Sequence, residues 1–166
     1  MGRVLASILI LTPAIVFGAN TSPDEAFYKH AAEGGVAEVE MGNLAQQKSL
    51  NQSVKDFGAM MVKDHTAANE KLKGVAQSKD ISLPTSASMG QMATKAKLEV
   101  LSGKTFDKSY VMGMIKDHEK DIAMFKKEAA SGQDADAKAY AKATLPRLEM
   151  HLKTIKSIAA SAGITP

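Results

Sequence analysis

Apolar residues recur three, four, seven and eleven positions apart along most of this chain. That spacing collects them on one face of a helix that turns about 100° per residue. Val54, Phe57, Met61, Ala68, Leu72 and Ala76 form one such stripe, and Val111, Met114, Ile115, Ile122 and Phe125 form another. Phe27, Ala31, Gly34, Met41 and Ala45 make a third, and Tyr140, Thr144, Leu148, Ile155 and Ile158 a fourth. No useful length alternates apolar with polar residues, so no strand is expected.

Glycine, proline and capping residues cut this pattern into elements. Ser22–Pro23–Asp24 starts a helix that runs to about residue 49, with proline suited to an early helical position. Asn51 or Ser53 opens a second, to about 78. The looser stretch "SKDISLPTSASMG" follows, with a shorter helix expected over about 91–101. A long helix is expected over about 105–130. "SGQD" ends it, with Gly132 as terminator and Asp134 as the next cap. The last helix should reach about 162, kinked or split at Pro146. Two long helices, a long crossover and two more long helices predict an all-α, four-helix bundle.

The pentapeptide "MVKDH" ends at His65, and "MIKDH" ends at His118. Both histidines fall inside their apolar stripes. Glu38 falls inside the stripe of the first helix, and His151 near the edge of the stripe of the last. Asp121 lies three residues after His118 and shares its face. Asp64 and Asp117 sit at the stripe edges, placed to meet a neighbouring helix or solvent. Each long helix therefore offers one inward candidate ligand, Glu38, His65, His118 or His151, with Asp121 as a fifth. Imidazole and carboxylate on facing helices are how bundles build metal centres, and that donor set suits iron, manganese or zinc. There is no Glu-x-x-His pair, the usual mark of di-iron bundles. His118-x-x-Asp121 has its spacing in reversed order with a shorter acid.

A structural reading accounts for the same residues: a histidine on an apolar stripe is often a hydrogen-bonded core residue, and a Glu38–histidine ion pair needs no metal. Met41, Met61 and Met114 share faces with Glu38, His65 and His118. Thioether beside imidazole suits copper, but methionine on a helical stripe is more often core filling. His30, Glu33, Glu40 and Glu149 face outward, and the lysine-rich faces read as solvated surface.

The beginning of the chain has a different character. Arg3 precedes a largely apolar run from Val4 to Phe17, closed by Gly18 and Ala19 and followed by Asn20, Thr21 and Ser22. This is the make-up of a secretory signal peptide, cleaved after Gly18 or Ala19 and too short for a comfortable membrane span. Residues 1–19 are thus expected to be a leader and 20–166 the exported, soluble domain, periplasmic or secreted. The sequence has no cysteine, which excludes both disulfides and a lipid-modified cysteine anchor. The formal charge is +3, interleaved along the helices, with no basic stripe and no tryptophan. Nucleic-acid binding is not supported. No nucleophile elbow and no glycine-rich phosphate loop occurs, so hydrolytic and nucleotide chemistry is disfavoured.

"EVEMGNLAQQKSLNQSVKDFGAMMVKDHTAANEKL", "FDKSYVMGMIKDHEKDIAMFKKEA" and "LPRLEMHLKTIKSI" occur in that order. Together they resemble the exported bacterial family catalogued as domain of unknown function 4142, over about residues 27–158. The resemblance implies a ferritin-like four-helix bundle behind a signal peptide. It places motif positions on Glu38, Asp64, His65, Asp117, His118 and His151 and implies no settled activity. Members are often labelled outer-membrane proteins, but no series of amphipathic strands exists here to build a barrel.

Two functions compete. One is an exported metal-binding bundle, monomer or homodimer, for metal buffering or oxidative-stress protection. The other is a metal-free envelope stress or interaction protein whose buried His, Glu and Asp fix helix register.

Overall fold

The computed structural model describes residues 22–165, so the expected leader lies outside the described residues. Five helices follow one another: α1 (Pro23–Lys48), α2 (Gln52–Gln77), α3 (Met89–Glu99), α4 (Gly103–Ser131) and α5 (Ala135–Ser161). Among the described residues there is no strand.

Local chemistry sets the boundaries. Ser22 accepts a hydrogen bond from the Glu25 amide, and Pro23 occupies the first turn of α1, where its missing N–H costs nothing. Asn51 caps α2, and Asp134 caps α5 through the amides of Asp136 and Ala137. Helix α3 starts two residues earlier than the apolar spacing indicated, because Ser88 and Gln91 form a reciprocal capping box. Gly132 does end α4, but at φ −56°. Its small size matters instead: a Cβ there would lie 2.1 Å from Glu128 Oε1. Helix α5 runs through Pro146 without the expected split. Pro146 and Lys142, whose carbonyl loses its partner, are both exposed, so solvent is free to satisfy that carbonyl.

The four long helices pack in a ring. α1 lies against α2, α2 against α5, α5 against α4 and α4 against α1, while α3 lies outside against α1 and α4. The α1–α2 contact is closest at Gly42 and Gly58. A Cβ on Gly58 would stand 2.6 Å from the Gly42 carbonyl oxygen, so the absence of side chains sets this approach. The core divides into two apolar halves. One gathers Met41, Val54, Phe57, Met61, Phe106, Tyr110 and Met114. The other is aromatic at its centre, with Phe27 edge-on to Phe125 at 5.0 Å and Tyr140 beside both. Each large buried side chain contributes roughly 1.5–3 kcal/mol of transfer free energy. Three histidines and a glutamate lie in the same interior.

Candidate metal centre

His65 on α2, His118 on α4 and His151 on α5 are all buried, His118 completely. One ring nitrogen from each lies within 4.8 Å of the others. The imidazole centroids are 6.0 Å apart for His65–His118, 5.4 Å for His65–His151 and 5.5 Å for His118–His151. The Phe57 ring stands edge-on at 6.3 Å from His118 and 6.4 Å from His151, giving the group an apolar wall. Among the described residues this is the group of three metal-ligating side chains that converges.

Hydrogen bonds orient two of the rings. His118 Nδ1 lies 2.9 Å from the Met114 carbonyl, one turn earlier on α4. A carbonyl can only accept, so Nδ1 carries the proton and Nε2 has a bare lone pair. His151 Nε2 lies 2.9 Å from Asp64 Oδ2, and that carboxylate also meets Arg147 at 3.4 Å. The proton of His151 therefore sits on Nε2, and Nδ1 is bare. His65 Nε2, His118 Nε2 and His151 Nδ1 are all buried without a hydrogen-bond partner. An unsatisfied buried polar atom costs about 1–3 kcal/mol, so three on adjoining rings need an explanation.

Electrostatics keeps the rings neutral, the form that binds metal. Burial, then the neighbouring imidazoles His118 and His151, lowers the His65 pKa to about 3. Burial and His151 lower that of His118 to about 4, against a smaller upward effect of the Met114 hydrogen bond. Burial also lowers His151, opposed by Asp64.

The carboxylates are arranged differently. Glu38 is 2 % exposed, and its Oε1 lies 3.7 Å from His118 Nδ1, beyond hydrogen-bonding distance. Its Oε2 has no partner. Burial, then the charges of Asp121 and Asp117, pushes its pKa well above the usual carboxylate range. With His118 lowered and Glu38 raised, burial disfavours a charged pair here. Asp121 is half-buried, and burial with the Asp117 charge brings it up to about 7. Asp117 is half-buried and meets Lys120 at 3.7 Å.

The seven residues singled out from the sequence thus fall into two sets. His65, His118 and His151 converge, with Asp64 behind His151. Glu38, Asp117 and Asp121 line a cleft that the histidines do not, and Asp121 also borders the small cavity beside His65. Met41, Met61 and Met114 are buried in the apolar half of the core beside the histidines. Sequence reasoning placed Phe57 on the face of His65 but missed Arg147. Arg147 stands one turn before His151, so helical spacing could have found it.

Residues 16–158 match the family described as Domain of unknown function (DUF4142). The chain belongs to that family. No curated protein matches it. The fold resembles several solved structures. A DUF305 protein from Streptomyces coelicolor matches with a TM-score of 0.72 at 19% identity, covering 89% of this chain and 98% of that one. A DUF305 fragment from Deinococcus radiodurans matches with a TM-score of 0.74 at 11% identity, covering 85% of this chain and 97% of that one. CopM in its Cu(I)-bound form matches with a TM-score of 0.69 at 15% identity, covering 83% of this chain and 96% of that one. These likenesses show a shared fold. Among the described residues, no helix is long and apolar enough to cross a membrane.

Proposed function

We propose that this DUF4142 protein is an exported, ferritin-like four-helix bundle that holds one late first-row transition-metal ion on His65, His118 and His151. The observation that carries the reading is the set of three buried imidazole nitrogens without hydrogen-bond partners, on three rings that converge. A metal ion satisfies all three at once, and with the rings already neutral it displaces few protons. Hydrogen bonding to Met114 and Asp64 holds two rings in the tautomer a metal needs, as the supports behind metal-bound histidines do.

An all-nitrogen set suits copper or zinc better than manganese, which favours carboxylate oxygen, and iron would want Glu38 or Asp121 in the same group. CopM, of the same fold, is known in a Cu(I)-bound form, which favours copper of the two. The cavity beside His65 measures about 20 Å³, room for roughly one water and not for an organic substrate. Metal buffering or carriage in the exported compartment fits such a site better than turnover of a substrate.

The metal-free alternative, in which these groups only fix helix register, requires a fully satisfied polar network. The partnerless nitrogens weigh against it. Elemental analysis of the untagged, exported protein separates the two. Close to one copper or zinc per chain, lost in His65→Ala, His118→Ala and His151→Ala, is the expected result. A metal-free parent that neither binds nor is thermally stabilised by copper or zinc would refute the proposal.

A further inference from the structure

Between α1, α3 and α4 a cleft of about 370 Å³ opens to solvent, and its lining includes Glu38, Asp117 and Asp121. We infer that this cleft is a second cation site, taking a hydrated hard divalent ion of the magnesium or manganese(II) type on these three carboxylates. The inference uses oxygen donors and does not depend on the histidine centre.

Glu38 carries it. A side chain this deeply buried, with one carboxylate oxygen lacking any partner, lines the cleft together with two further acids on α4. Lys120 at the lip reaches Asp117 at 3.7 Å, but it is largely exposed and weakly placed to neutralise the floor. α3 forms the remaining wall, where the hydroxyls of Ser88 and Thr94 supply further oxygen.

The three carboxylates do not converge as the histidines do, so the ion would be reached partly through its own water. Magnesium and manganese(II) are commonly held in that way, by one or two carboxylates with several waters retained. Six waters at ~30 Å³ each occupy about 180 Å³, which the cleft accommodates.

The test follows free manganese(II) by its electron paramagnetic resonance signal as metal-stripped protein is added. It uses the parent, Glu38→Gln, Asp121→Asn and the double variant His65→Gln/His151→Gln, with folding checked by circular dichroism. One manganese per chain is expected in the parent and the double histidine variant, displaced by excess magnesium. Glu38→Gln and Asp121→Asn, which keep side-chain shape, should each weaken it at least tenfold. Copper or zinc stoichiometry should be unchanged in Asp121→Asn. Absence of manganese binding in the folded parent would overturn the inference. So would binding that survives both carboxamide variants, or binding lost only in the histidine variant, which would put the ion on the imidazoles.

Discussion

The two copies of the pentapeptide begin alike and end differently. Met61 and Met114 are both buried, and His65 and His118 both point to the same centre. The aspartates diverge. Asp64 bonds across to His151 on α5, whereas Asp117 faces the acidic cleft and Lys120. The helices then part further. Three residues past the histidine α2 has Ala68 and α4 has Asp121; ten residues past it α2 has Val75 and α4 has Glu128. A repeated motif repeats the face a side chain occupies. Its role comes from the helices around it: both α2 and α4 pack on α5, but α4 alone also borders α3.

The widest test of this comparison is loss of metal. Replacing either repeated histidine by alanine should reduce bound copper or zinc from about one per chain to below a tenth, as measured by elemental analysis. Unequal retention between His65→Ala and His118→Ala would show that the copies are not equivalent at the centre.

The helix pairs differ in how closely they approach. Gly58→Ala forces a Cβ onto the Gly42 carbonyl and should cost about 2–4 kcal/mol in denaturant unfolding. Gly113→Ala on α4 meets open space and should be neutral or stabilise by up to about 1 kcal/mol. Equal destabilisation by both would refute the close-contact account.

The aspartates provide a finer distinction. Asp64→Asn should weaken metal affinity about 10–100-fold, because the acceptor-only carboxylate that fixes the His151 tautomer gives way to an amide that can also donate. Asp117→Asn should change it less than about threefold. Competition titration with a chromogenic chelator reads both, and similar losses would mean that the two aspartates play one role.

The smallest expected effect is a pH dependence peculiar to α4. Burial, then hydrogen bonding and charge from Asp24, raises the Glu128 pKa to about 7. The folded state therefore binds this proton more tightly than the unfolded state. The resulting stability is fully present below about pH 4.5 and is lost as pH rises through about 7. Glu128→Gln keeps a permanent donor towards Asp24. It should gain on the order of 1–2 kcal/mol over the parent at pH 8 and almost nothing at pH 4.5, read as the shift in melting temperature. A gain that is the same at both pH values would exclude titration of Glu128 as the cause.

Much of the helical frame was legible in the chain, because caps and apolar spacing are local. Ser22, Asn51 and Asp134 mark helix starts by accepting from nearby amides. The Ser88–Gln91 capping box was equally local, but apolar spacing alone did not reveal it. Pro146 does not split α5, since an exposed carbonyl can take water in place of its lost partner. The inward faces of Glu38, His65, His118 and His151 were also readable, because periodicity determines which residues leave water together.

Which of those inward residues meet was decided by tertiary packing. Helical spacing gives an angle around one axis and carries no information about the height or identity of the facing helix. Glu38 and His118 therefore looked like partners in one ligand set, and the fold instead sets Glu38 behind His118, against the carboxylates of α4. The sequence by itself determined an all-helical chain with four polar side chains turned inward. Only the packed structure sorted them into three facing imidazoles and one acid in a separate cleft, because that sorting depends on contacts between residues far apart in the chain.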